Sequence, residues 1–319
     1  MNHYPSNVKE KLNSIILSMA EHHWLFSKNP GHDFTRQHLG KLSFYDTMRL
    51  IISMGKGSTN DEIMDYFDLD PDLIPSQSAF CQRRRQISLS AFEYLFSEFS
   101  SSFPSTTDKF KDHCILACDG CHVVYATNSD IIEDYNKPRL IDYKGYNHMH
   151  LNGFVDVISK AFLDVVIQPG QQPDEREALH SMLDHFTPDD PQKYIITADR
   201  GYESYDLLFH CELKNLGYVF RVKSPSSPKS ILSYYASELP DDLEEFDVTI
   251  KHFFTNKATN IMKSQSDVYR YINPSKNTPH FYELLRKNHS HLYFLQFRVV
   301  KIKTAENTQE IYFRLILYN

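Results

Sequence analysis

Ile115-Leu-Ala-Cys-Asp-Gly-Cys-His122 has an echo further along the chain, Ile195-Ile-Thr-Ala-Asp-Arg-Gly-Tyr202. Each is a short apolar run ending on an aspartate, with glycine directly after it or one residue later. Runs of this length rich in Ile read as buried strands. A carboxylate at the end of such a strand is costly to desolvate unless it meets a cation or strong donors. Two of them, Asp119 and Asp199, point to a divalent metal site if their strands lie side by side. The alternative is a pair of surface aspartates at glycine turns.

Working outward, Ile115–Tyr125 reads as a strand bulged at Gly120. His148–Ser159 and Phe162–Gln168 form a partly alternating hairpin. Pro173–Phe186 is a helix whose acidic first turn, Asp174-Glu175, suits the helix dipole. Lys193–Ala198 is a strand, Ser204–Asn215 a helix and Tyr218–Val222 a strand. Three strands, a helix, a strand, a helix and a strand make a mixed α/β unit. Asp119 falls in its first strand and Asp199 just past its fourth. Arg200, Tyr202, Arg221 and Lys223 then gather near one end of the sheet, as cations and a hydroxyl for phosphate.

Residues 1–100 read as helical. Phe44–Met54 has helical apolar spacing and stops at Gly55-Lys56-Gly57. Ser58-Thr59-Asn60 caps a short helix, Asp61–Phe67, and Ser76 caps Gln77–Ile87. Leu89–Phe99 follows. A short helix, a turn and a helix bearing Arg83, Arg84 and Arg85 outline a helix-turn-helix. The arginines are candidates for DNA contact, against the ordinary reading of a basic helix as a solvated face. Residues 101–112 read as a linker. Beyond Ser224 the chain is polar with short apolar runs, and closes on two strands, Leu292–Lys303 and Ile311–Tyr318.

The net charge of −7 argues against wholesale nucleic-acid binding, but the charge is uneven: residues 119–223 hold 17 acidic and 10 basic residues, whereas 224–319 hold 10 and 12. Acid concentrated around both marker aspartates fits a magnesium site, or an ordinary acidic surface. No run is long and apolar enough for a membrane span. Five cysteines, an odd number, fit a reducing compartment. Cys114, Cys118 and Cys121 have a spacing seen in iron–sulfur enzymes. On a strand, however, the first two share a face and the third lies opposite with Asp119, so buried thiols are expected. His148 and His150 share a strand face without a third ligand nearby in sequence.

The stretches Pro75–Phe96, Leu116–Gly120, Lys144–Gly170, Ile196–Ser204 and Gly217–Lys223 together resemble the DDE transposases of the IS-four-like insertion-sequence family. Thr197-Ala-Asp-Arg-Gly-Tyr-Glu-Ser204 followed by a helix and Tyr218-Val-Phe-Arg-Val-Lys223 is the most specific part. The resemblance implies a helical DNA-binding region (residues 1–100), a ribonuclease-H-like catalytic core (113–223) and a β-rich insertion (224–319). It implies Mg²⁺, or Mn²⁺ in its place, held by Asp119 and Asp199 as first and second catalytic acids. Arg221 and Lys223 match a basic patch that contacts the transposon end. The partners it implies are double-stranded DNA, as terminal repeats and target, and a second copy of the chain in a dimer on DNA. The setting is a bacterial-type cytoplasm with association to the nucleoid.

One departure matters. The family's third acid is a glutamate in a Tyr-x-x-Arg-x-x-x-Glu-x-x-x-x-x-x-Lys motif on a later helix, and this chain has no such motif. Neither Glu203 nor Glu212 replaces it by spacing. The expectation is therefore a C-terminally truncated transposase with weak or no strand transfer, an exposed apolar face and a raw sheet edge. Two other readings stay open: a non-catalytic DNA-binding remnant, and an unrelated metal-dependent nuclease that adds His148 to the two aspartates.

Overall fold

The computed structural model describes residues 4–35, 42–102, 109–137, 144–257, 259–275, 278–302 and 312–316. The chain divides into two compact units, Met1–Pro104 and Ser105–Asn319. Half of the expected linker, residues 103–108, lies outside the described residues.

The first unit is helical: α1 (Tyr4–Glu21), α2 (Phe44–Ser53), α3 (Thr59–Tyr66), α4 (Gln77–Gln86) and α5 (Leu89–Ser101). Its starts follow local chemistry. Ser43 with Asp46, and Ser58 with Asp61, form capping boxes on α2 and α3, and the Ser76 hydroxyl accepts from Ala79 N on α4. Ile16, Met19, Phe44, Met48, Ala91 and Leu95 share one core; Leu42, Leu50, Ile63 and Phe80 form a second.

The second unit is built on a ten-stranded sheet. Its elements are β1 (Cys114–Tyr125), β2 (Tyr135–Asn136), β3 (Tyr146–Asp156), β4 (Phe162–Pro169), α6 (Glu175–His185), β5 (Tyr194–Ala198), α7 (Tyr205–Leu213) and β6 (Gly217–Val222). There follow β7 (Phe246–Thr255), α8 (Asn260–Ser264), β8 (Tyr269–Tyr271), α9 (Pro279–Lys287), β9 (Leu292–Ile302) and β10 (Tyr312–Ile316). Strand β3 is antiparallel to β1 and to β4, whereas β5 is parallel to both β1 and β6. The order β4-β3-β1-β5-β6, with three antiparallel strands and then two parallel additions, is the ribonuclease-H-like arrangement. Helices α6, α7 and α9 pack on one face, where Leu116, Cys118, Phe154, Ile196, Tyr218 and Phe220 meet Leu179, Leu183, Leu208 and Phe281 in a single core.

Two expectations change. β1 keeps an unbroken register with β3 from Leu116 to Tyr125, so Gly120 marks no bulge; the register shift lies between Phe154 and Val155 against β4. The outer edge of β6 is not raw, because β10 pairs with it and continues through β9 and β7 to β8. The β-rich segment thus extends the core sheet. Within it α9 leaves little trace in the sequence, since nine residues offer only Phe281 and Leu285 as a fully buried i, i+4 pair.

Candidate active site

Cys118 is the partner of Ala198, and Ala198 is the partner of Phe220. One residue further along these parallel strands come Asp119, Asp199 and Arg221, a single row on the sheet face away from α6. Neighbouring strands lie about 4.8 Å apart, so the two aspartates are adjacent and the guanidinium stands next in line. The row opens at the carboxyl ends of the parallel strands, where α/β sheets bind their ligands. Asp119, Asp199 and Arg221 line a groove of about 600 Å³ with Phe110, Ile115, Ala117, Ile195, Thr197 and Val219. Both aspartates are exposed. Each is turned onto a following glycine: Asp119 Oδ1 accepts from Gly120 N at 2.9 Å, and Asp199 Oδ1 from Gly201 N at 2.6 Å.

A third carboxylate reaches this place from the helix side. A methyl group built on Gly201 would lie 2.9 Å from Asp199 Oδ1 and 3.2 Å from Glu175 Oε2. One on Gly120 would lie 2.4 Å from His150 Nε2 and 2.9 Å from Glu175 Oε1. The two glycines therefore form a cradle that holds the Glu175 carboxylate between the aspartate-bearing turns. Glu175 opens α6, whose N-cap Asp174 accepts from Glu177 N. The Glu175 side chain is 36% exposed, against 5% for His150, whose Nε2 stands 3.1 Å from Glu175 Oε1. In the sequence Glu175 reads only as a dipole partner of its helix. The signal for more is the pair of glycines, one after each aspartate.

An all-oxygen donor set of this kind suits a hard divalent cation such as Mg²⁺ or Mn²⁺. The oxygens of Asp119, Asp199 and Glu175 do not all fall within 4.8 Å of one another. Closing on a cation therefore requires at least one of the three carboxylates to turn.

The expected basic residues divide. Arg200 is exposed. Lys223 is committed inward: its Nζ donates to Glu203 Oε1 at 2.5 Å and to Arg200 O at 3.1 Å, and its N–H donates to Glu203 Oε2 at 2.9 Å. Glu203 is buried and so is no surrogate third acid. Tyr202 departs from the surface position expected of it: it is 1% exposed, packed in the core against Cys118, and its phenol pKa is raised chiefly by burial. Cys114 and Cys118 are buried and Cys121 is exposed, as strand alternation requires. Burial pushes the Cys118 thiol up to about 12, so it carries no thiolate. His148 is buried beside Asn136, and His150 rather than His148 approaches the carboxylates. In the first unit Arg84 and Arg85 are exposed, while Arg83 lies over the Phe34 ring at 5.1 Å and donates to Gln86 Oε1.

Sheet order and the carboxylates at its parallel strand ends together define a ribonuclease-H-like α/β domain. The chain belongs to the transposase DDE domain family, whose profile matches residues 110–319. Among solved structures it is similar to a cryo-EM structure of the piggyBac transposase synaptic complex with hairpin DNA. That likeness has 12% identity, covers 85% of this chain and 49% of that one, and has a TM-score of 0.38. The chain spans about half the length of that transposase. A comparison with curated proteins finds no match.

Proposed function

We propose that the chain is a DDE transposase of the IS-four-like branch, whose second unit performs divalent-metal-dependent phosphoryl transfer on DNA. The observation that carries this is the Asp119–Asp199–Arg221 row with Glu175 cradled behind it between Gly120 and Gly201. Asp119 and Asp199 are the principal cation ligands and Glu175 is the third carboxylate. Asp119, Asp199 and Glu175 would hold the divalent cation, which would supply Lewis-acid stabilisation of charge on a phosphoryl group. Arg221 orients a phosphate at the groove, next to the two acids. His150, fixed in the β3 wall, positions Glu175. Arg84 and Arg85 present charge to DNA backbone from the first unit.

A third acid on α6 changes the outlook set by the missing glutamate motif. Asp119 and Asp199 alone would anchor one cation; Glu175 would add a third carboxylate beside them. The test is calorimetric binding of Mn²⁺ to the full chain, read beside cleavage of DNA carrying the element ends. Asp119→Asn and Asp199→Asn should abolish both. Glu175→Gln should weaken Mn²⁺ binding and cleavage together, and unaltered Mn²⁺ affinity in all three variants would sink the assignment.

A further inference from the structure

A second cluster of ligating side chains lies where α6, α7 and α9 meet. His180 on α6, Asp206 on α7 and His280 on α9 each offer one donor atom, and those atoms all lie within 4.8 Å of one another. His180 and Asp206 are buried, at 4% and 2% exposure, and His280 is open to solvent. Two imidazoles and a carboxylate drawn from three different helices are a zinc-type donor set.

Proton placement makes the cluster more than a coincidence of side chains. His210 Nε2 stands 3.1 Å from Asp184 Oδ1, so its proton sits on Nε2. Its Nδ1 is then the acceptor across the 2.6 Å contact with His180 Nδ1, which must be the donor. In the neutral ring the His180 lone pair is then on Nε2, a buried atom with no hydrogen-bond partner that faces Asp206 Oδ2 at 3.6 Å. A bare nitrogen lone pair opposite a buried carboxylate is repulsive, and either a proton or a metal cation between them removes the conflict; the His280 donor beside the pair favours the metal. Asp206 is itself fixed, since its two oxygens accept from Phe281 N at 2.8 Å and His280 N at 3.2 Å, the first N–H groups of α9. The His280 ring stacks on His180 with centroids 4.3 Å apart, and its Nε2 stands 3.1 Å from Glu177 Oε2. Such an outer carboxylate orients a ligating histidine.

We infer that His180, Asp206 and His280 form a binding site for a zinc-class divalent cation, with Glu177 orienting His280 and the fourth position open to solvent. The cation would tie α9, within the β-rich segment, to α6 and α7 of the core. Its role is structural, and its chemistry is distinct from the all-oxygen carboxylate row, which favours harder ions.

The experiment is calorimetric titration of the chelator-treated full chain with Zn²⁺, paired with Co²⁺ substitution read by visible absorption. Wild type should take up one Zn²⁺ that survives in the Asp119→Asn/Asp199→Asn double variant, and Co²⁺ should give the intense bands of a tetrahedral N/O site. His280→Ala, at an exposed position, should remove this binding, and Glu177→Gln should weaken it about tenfold or more. The inference is overturned if no Zn²⁺ binds, or if binding persists unchanged in His280→Ala. It is also overturned if nitrogen-15 NMR with excess Zn²⁺ shows both ring nitrogens of His180 protonated, which would make the cluster a His180–Asp206 ion pair. None of these outcomes depends on the carboxylate row being catalytic.

Discussion

His150 Nε2 stands 3.1 Å from Glu175 Oε1, joining the middle of β3 to the first residue of α6. His150 is buried and Glu175 is partly exposed, so in the proposed site the imidazole borders the place the Glu175 carboxylate takes beside Asp119 and Asp199. The space both side chains use exists because position 120 has no side chain.

Gly120→Ala is accordingly predicted to harm the protein. Its methyl would meet His150 Nε2 at 2.4 Å and Glu175 Oε1 at 2.9 Å, and the histidine cannot withdraw. Overpacking of this kind costs about 1–3 kcal/mol, measurable by urea unfolding. Mn²⁺ affinity should fall as well, because Glu175 is the more mobile of the two and must give way.

Lys223→Met should destabilise the fold by about 3 kcal/mol. It leaves the Glu203 carboxylate, whose side chain is 1% exposed, without its ammonium partner. A Glu203→Gln/Lys223→Met double variant should recover much of the loss in the same unfolding assay. If Lys223→Met instead weakened DNA binding with stability intact, the lysine would belong to the DNA surface.

Arg84→Glu and Arg85→Glu should weaken DNA binding and reduce its salt dependence by about one unit of slope for each phosphate no longer neutralised. Arg83→Glu should act differently and lower thermal stability, since Arg83 packs over Phe34 and bonds Gln86 within its own unit. Gel shifts across a salt series, beside melting curves, separate the two effects.

Glu212 gives a pH signature. Burial raises its pKa from 4.5 to about 7, with Tyr293 hydroxyl donation only partly opposing this. Between those values the folded chain binds more protons at this site than the unfolded chain does, so its contribution to stability falls as pH rises from 4.5 to 7 and stays low above. Glu212→Gln should therefore stabilise the protein at pH ~8 by about 1–2 kcal/mol, after discounting for residual solvent contact, and have little effect at pH 4.5. Thermal melts at the two pH values check both the size and the sign.

Most strands and helices of the core, and Asp199 just past the end of β5, were legible in the sequence, whereas Asp119 lies inside β1, which runs on to Tyr125 beyond its parallel pairing with β5. The former rest on local periodicity and on glycine turns, which need no knowledge of the rest of the chain. Capping at Ser58 and Ser76 and the separation of Cys121 from Cys114 and Cys118 were legible for the same reason. Long-range packing, by contrast, sets Arg221 in a row with the aspartates, turns Tyr202 inward, gives Lys223 to Glu203 and lets β10 close the edge of β6. It alone brought Glu175 between Gly120 and Gly201, and set His180, Asp206 and His280 from three helices around one point. Neighbour relations of this kind depend on strand register and helix packing between distant segments, and neither leaves a period in the sequence.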